Sequence, residues 1–284
     1  MHHAAVFRLL IADLDGRFTV ERLADQLSAL ADAAIAQVIE LAWQTVTKDP
    51  DEQPRFAVIG YGKLGGKELA YASDLDLVFI YDDERPEATM IYSRLVRRMM
   101  SWLSVQTSSG KLFDVDLRLR PNGENGLVVC PFDMFCRYQE NVDGNGAWVW
   151  EHQALTRARF VAGDADLGRR FEEERAKILA RDRDRAALRD EVLKMRRKML
   201  DGHANRTKYL DIKQDRGGMV DVEFVVQFLV LAHAAAEPAL LNNFGNILLL
   251  EMSARAGFLA EETALAAVRA YRRYRALQHE IRLN

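Results

Sequence analysis

Cysteine is nearly absent from this 284-residue chain. Only two occur, Cys130 and Cys136, too few for a disulfide framework, and they read as buried reduced thiols. No apolar run approaches the roughly 20 residues that span a bilayer. The opening stretch MHHAAVFRLLIADLDGRFTVERL lacks the basic start and apolar block of a secretory signal. The six histidines include no pair at zinc-ligand spacing, and His2 and His3 read as a cloning remnant. A basic excess is missing too: 39 Lys+Arg face 42 Asp+Glu, for a net charge of -3. That balance excludes the footprint of a general nucleic-acid binder. With 49% hydrophobic and 29% charged residues, the composition is that of an ordinary folded protein rather than a disordered one. The expectation is a cytoplasmic chain with neither nucleic acid nor membrane as partner.

The pattern along the chain changes period several times. Residues 17–47 carry Leu23, Leu27, Leu30, Ala34, Ile35, Val38 and Leu41 at helical spacing, with Thr19 placed to start the helix. KDPDEQPR, with two prolines, ends it. FAVIGYG and LDLVFIYD are β-branched and aromatic, and predict strands, while ATMIYSRLVRRMMSWLSVQT returns to a helix. GKLFDVDLRLRP alternates apolar and charged residues from Leu112 to Arg120, which predicts a strand. GLVVCP is its expected partner across the PNGEN turn. From residue 131 onwards only helices are expected. The fold class is therefore α+β: a small mixed sheet with helices before it and a helical bundle after it. The expected divisions are an N-terminal helical segment (1–50), a catalytic domain (51–165) and a C-terminal bundle (166–284). The last helix runs to Asn284 without a cap, which suggests a fragment of something longer.

Chemistry concentrates in GYGKLGGKELAYASDLDLVFIYD, residues 60–82. Alternate side chains of a strand share a face, so Asp74 and Asp76 point one way while Leu75 and Leu77 point into a core. Two carboxylates so close repel each other unless a cation intervenes, and Mg²⁺ is the hard, oxygen-liganded candidate. Asp114 and Asp116 lie on the charged face of another predicted strand and can complete the set. For an isolated D-x-D a solvated strand edge is the simpler reading, but the glycines ahead of it shift the balance. Gly62, Gly65 and Gly66 allow a sharp turn with amides open to phosphate oxygens, and Lys63 and Lys67 add positive charge. The motif is neither a P-loop nor a good dinucleotide fingerprint.

A glycine turn, a short helix, then S-D-x-D with a third acid on a neighbouring strand resembles the layout of nucleotidyltransferases of the polymerase β type. More specifically, FAVIGYGKLGGKELAYASDLDLVFIYD resembles the signature of the glutamine synthetase adenylyltransferase family. The similarity continues through QTSSGKLFDVDLRLRPNG, AWVWEHQALTRARFVAGD and YLDIKQDRGGMVDVEFVVQFLVL. The resemblance implies a bacterial cytoplasmic enzyme that moves AMP from ATP onto a tyrosine hydroxyl of glutamine synthetase, with Mg²⁺ (two ions) as cofactor. PII signal protein and glutamine are its implied regulators. It implies Asp74, Asp76 and Asp116 as the catalytic and metal-binding triad. The implied nucleotide contacts are Gly62, Lys63, Gly65, Gly66, Ser73, Arg118 and Arg120, with Asp114 behind the metal ligands. Family enzymes carry two related halves, one attaching AMP and one removing it by phosphorolysis. TSSG, WEHQALTRAR and DIKQDRGGMVDVEF resemble the attaching half. A catalytically silent module responding to PII or glutamine is the alternative from another class.

Outside the triad, Arg118 and Arg120 read either as triphosphate contacts or as partners of the aspartates. Trp148 and Trp150 read as packing residues. Lys213, Asp221 and Glu223 form either a lid or a tie between helices and sheet, and His152 has no assigned role. The stretch from Arg169 to Lys198 reads as a solvated helix face. VDGNG, ahead of Ala147, looks like an inserted turn.

Overall fold

The structure is a computed structural model that describes residues 2–49, 51–108, 110–123, 126–141, 144–242 and 245–283. By internal contacts it divides into two units: 1–147 with 158–175, and 148–157 with 176–284. Val142 and Asp143 of the VDGNG stretch, and Asn284, lie outside the described residues.

The first unit begins with two helices, α1 (His2–Leu14) and α2 (Val20–Gln44). Thr19 caps α2 as expected, its side chain accepting from the Arg22 amide. His2 and His3 are part of α1, and the His2 ring meets Phe113 edge-on at 4.8 Å. Strand β1 (Phe56–Gly60) follows, then one helical turn, α3 (Gly62–Gly65), then β2 (Leu75–Tyr81) and α4 (Ala88–Ser104). β1 and β2 pair antiparallel from Phe56 opposite Tyr81 to Gly60 opposite Leu77. Every residue of β1 is buried, which is why FAVIG reads as a continuous apolar run instead of an alternating one.

Three expectations about the sheet are corrected. The strand predicted over Leu112–Arg120 shortens to β3 (Val115–Asp116), paired parallel with β2. Its end has a local cause: the Asp116 carboxylate accepts from the Arg118 amide at 2.8 Å, turning the backbone two residues on. GLVVCP does not pair with β3. It contributes β4 (Cys130–Pro131), which runs parallel to the other end of β2. Strands also continue past residue 131. After α5 (Phe132–Glu140) and α6 (Val149–Leu155), β5 (Arg159–Gly163) pairs antiparallel with β1, giving the order β3-β2-β1-β5. The sequence hid β5 because ARFVAG continues the apolar spacing of α6 without a breaker until Gly163.

The core of this unit packs α2 and α4 against the sheet. Tyr92 stacks on Trp43, Phe56 and Tyr81 at ring-centroid distances of 5.8, 6.0 and 4.8 Å. Its hydroxyl donates to Asp83, which also accepts a fork of hydrogen bonds from Arg85. Arg85 and Tyr92 together hold the Asp83 carboxyl down at about 2. A depressed carboxyl stabilises the fold above its unfolded value near 4 and loses that contribution as pH falls through 2. The stability difference between wild type and Arg85→Met should therefore be largest at neutral pH and shrink as pH drops from 4 to 2. Urea midpoints across that range read it directly. Cys130 is buried, which pushes its thiol up to about 12, and Cys136 is half-buried.

The second unit is helical. Besides α6 it holds the end of α7 (Ala165–Leu179), α8 (Arg185–Gly202), α9 (Met219–His233), α10 (Gly245–Arg255) and α11 (Glu261–Leu283). Met219, Val226, Leu229, Leu250, Val268 and Tyr271 form its core. The charge-rich stretch is not uniformly solvated: Arg196 on α8 is buried, pairing with Asp221 and donating to the Gln214 carbonyl. No helix among the described residues is long and apolar enough to cross a membrane.

Candidate active site

β1 delivers the chain at Gly60 into the turn, and β2 carries it back. Between them Gly62 adopts φ +52, a conformation in which side chains are strained. A Cβ there would sit 2.1 Å from Asp76 Oδ2 and 2.9 Å from Asp76 Cγ. Glycine is thus required twice over, by backbone and by the carboxylate lying against it. The Tyr61 amide also donates to the Asp76 carbonyl at 2.9 Å, fixing the turn onto the strand.

Along β2 every side chain is buried except Asp76. It stands in register with Asp116 on β3, so two carboxylates face the same way on neighbouring strands, roughly 4.8 Å apart in backbone spacing. Asp74, two residues earlier, is exposed. Asp116 is turned onto Arg118, whose guanidinium and amide both donate to it, and this hydrogen bonding holds the Asp116 carboxyl below the usual range. Among the described residues no three His, Cys, Asp or Glu side chains are gathered into a metal-holding group. The chemistry of the donor set nevertheless fits a hard divalent cation: oxygen-only ligands, two of them in register, beside a position kept clear of any Cβ.

The remaining sequence-predicted residues divide in two. Lys63 is half-buried in α3, next to Gly62, while Lys67 is exposed. The Gly65 and Gly66 amides, expected to face phosphate, donate instead to the Tyr61 and Gly62 carbonyls. These glycines therefore shape the turn from inside. Ser73 is buried, its hydroxyl accepting from the Ala70 amide at 3.1 Å. Asp114 pairs with Lys111, and its contribution to the sheet is a carbonyl that accepts from Leu75. Arg120 braces its own loop through the Leu117 and Gly126 carbonyls.

In the second unit, Asp221 accepts from Arg196 and from the Gly217 amide. Glu223 pairs with Arg157 at 3.2 Å and accepts from Tyr271, whose hydroxyl in turn accepts from Asn246. These acids organise the helices around them. His152 is buried in α6 and Lys213 is exposed. Trp148 and Trp150, expected to pack, are 70% and 38% exposed. α6 spans only seven residues and buries Glu151, Gln153 and Leu155, leaving the indoles at its start outside.

Comparison with known proteins follows the same division. Residues 1–174 match the family described as Glutamate-ammonia ligase adenylyltransferase, and residues 193–284 match the one described as GlnD PII-uridylyltransferase. A Chromobacterium violaceum protein named "Bifunctional glutamine synthetase adenylyltransferase/adenylyl-removing enzyme" is 56% identical over 99% of this chain and 31% of its own length. Proteins of the same name from Bordetella bronchiseptica and Burkholderia mallei are 57% and 53% identical, over 98% and 100% of this chain and 29% and 31% of their own. The chain thus spans about a third of the length of the curated relatives it matches. On this identity, sustained from end to end, the chain belongs to the glutamate-ammonia ligase adenylyltransferase family.

Proposed function

We propose that this chain transfers AMP from Mg-ATP to a tyrosine hydroxyl of glutamine synthetase, releasing pyrophosphate, and thereby regulates nitrogen assimilation. The observation that carries this reading is Asp76 in register with Asp116 against the side-chain-free Gly62, within a chain of an adenylyltransferase family. The relatives' printed name joins glutamine synthetase as substrate to this chemistry. The similarity of residues 193–284 to a PII-uridylyltransferase supports a helical unit that responds to PII, with glutamine as co-regulator in the full-length enzyme. On this reading the chain works in the bacterial cytoplasm.

Asp74, Asp76 and Asp116 would hold the Mg²⁺ ions. When bound, the ions would supply charge neutralisation to the triphosphate and to the charge that develops as it is broken. The chain's own residues do the rest. Gly62 leaves room for the Asp76 carboxylate to lie against the turn, and Lys63 adds positive charge there. Arg118 keeps Asp116 ionised and screens it from Asp76 while no nucleotide is present. Moving that guanidinium onto the triphosphate, which its fork suits, uncovers the Asp116 carboxylate toward the incoming hydroxyl. Asp116 can then take the proton from the tyrosine hydroxyl as its oxygen bonds to the α-phosphorus and the bond to pyrophosphate breaks.

The relatives' name also carries the adenylyl-removing activity, so one assay separates the two halves. The chain is incubated with glutamine synthetase, Mg²⁺ and α-labelled ATP beside an Asp74→Ala/Asp76→Ala control. Label on the synthetase and free pyrophosphate with the intact chain alone is the expected result. Phosphate-dependent release of ADP from pre-adenylylated synthetase, with no labelling, would assign the chain to the removing half. Neither activity would leave a regulatory module.

A further inference from the structure

On the outer face of α4, Arg94, Arg97, Arg98 and Ser101 follow one another at i, i+3, i+4 and i+7, so a single stripe holds three guanidinium groups. The opposite face, with Tyr92, Leu95, Val96, Met99 and Leu103, is buried in the core. The stripe and the residues after α2, Thr45 and Val46, line a cavity of about 370 Å³. No residue of the aspartate cradle borders it.

The three guanidinium groups rest on neutral atoms of their own helix. Arg97 donates to the Ser93 carbonyl, Arg94 to the Met90 sulfur, and Arg98 lies over the Trp102 ring. Among the described residues none pairs with a carboxylate. Some exposed arginines of this slightly acidic chain do find one, such as Arg17 with Asp15, Arg118 with Asp116, and Arg169 with Asp166 and Glu173, whereas here three unpaired guanidinium groups adjoin on one helix face. Like charges at i, i+3 and i, i+4 repel, which disfavours such a stripe unless something offsets it. The negative end of the α2 dipole is near, and two of its last carbonyls are already occupied. The Ala42 carbonyl accepts from the amide and hydroxyl of Thr45, and the Trp43 carbonyl from the amides of Val46 and Thr47. The arginines' own contacts run within α4 and not to these carbonyls.

We propose that this cavity binds a small molecule carrying linked phosphate groups, at a site separate from the aspartate cradle. Planar guanidinium forks match phosphate oxygens in pairs. A row of three, extending about 6 Å from Arg94 to Arg98, is filled better by two linked phosphates than by one carboxylate. The Ser101 hydroxyl adds a neutral hydrogen-bonding group at the rim, and the open cavity has the volume to admit a small molecule. This proposal stands whether or not the chain transfers AMP.

Calorimetric titration of inorganic pyrophosphate into the full chain tests it, in EDTA at fixed ionic strength so that no divalent cation recruits the anion to the aspartates. One saturable site is expected. Arg94→Gln/Arg97→Gln/Arg98→Gln, all exposed positions, should weaken it at least about tenfold, the scale of lost charged hydrogen bonds. Arg17→Gln/Arg169→Gln/Arg189→Gln removes the same charge from exposed, paired arginines and should leave the affinity within about twofold. Asp76→Asn should leave it unchanged, and citrate should bind more weakly than pyrophosphate. Absence of saturable binding, equal weakening by the control triple, loss in Asp76→Asn, or citrate binding as tightly as pyrophosphate would each overturn the proposal.

Discussion

Gly62→Ala is expected to lower AMP transfer by about 10²-fold or more, the scale set by displacing a reacting group by an ångström, while the chain stays folded. The added Cβ would lie 2.1 Å from Asp76 Oδ2 and 2.9 Å from its Cγ, so the carboxylate must rotate out of its place against the turn. Because the clash is with the end of a side chain rather than with backbone, the fold can yield. The remaining cost is that of alanine at positive φ, about 1–2 kcal/mol. Gly16 isolates that cost: it has φ +69 and nothing within 4 Å of its would-be Cβ. Gly16→Ala should lose similar stability and keep full activity. Transfer rates beside urea midpoints for both variants make the comparison. If Gly62→Ala retains activity within about threefold of wild type, the cradle is not where the nucleotide's phosphates sit.

The largest stability effect is expected from Tyr92→Ala. Tyr92 is fully buried, and its ring joins α4 to α2, β1 and β2 through Trp43, Phe56 and Tyr81. Truncating a buried aromatic side chain costs about 3–5 kcal/mol. Its hydroxyl also donates to Asp83 and accepts from the Arg55 amide, and losing it leaves both short of a partner. Against a total of roughly 5–15 kcal/mol for a typical protein, the first unit should unfold at a much lower urea concentration. Tyr92→Phe keeps the stack and loses only the hydroxyl, so about 1 kcal/mol is expected there. Chemical denaturation followed by tryptophan fluorescence separates the ring from the hydroxyl. Equal losses for the two variants would mean the polar network, not the stack, holds α4 to the sheet.

The sequence by itself determined the elements whose pattern is strong and local. The Thr19 cap and long amphipathic period of α2, the all-apolar β1, and the alternation that leaves Asp76 as the one unburied residue of β2 were legible because each follows from neighbours a few residues away. The family motif was legible for the same reason, and the triad is what that motif implies. Tertiary structure decided what depends on partners far along the chain. β5 exists because β1 offers it an edge, not because ARFVAG looks different from a helix. β3 stops at Asp116 because a carboxylate caps its own turn, which interrupts an alternation that continues to Arg120. Gly65 and Gly66 spend their amides inside α3, and Gly62 is the glycine that meets Asp76. Sequence spacing cannot rank three glycines in one turn, since only the folded backbone sets which amides are used and which Cβ has no room. The arginine stripe on α4 was equally invisible as a feature: charge alternation on a helix is common, and that these three arginines find no carboxylate follows only from where the acids of other elements come to lie.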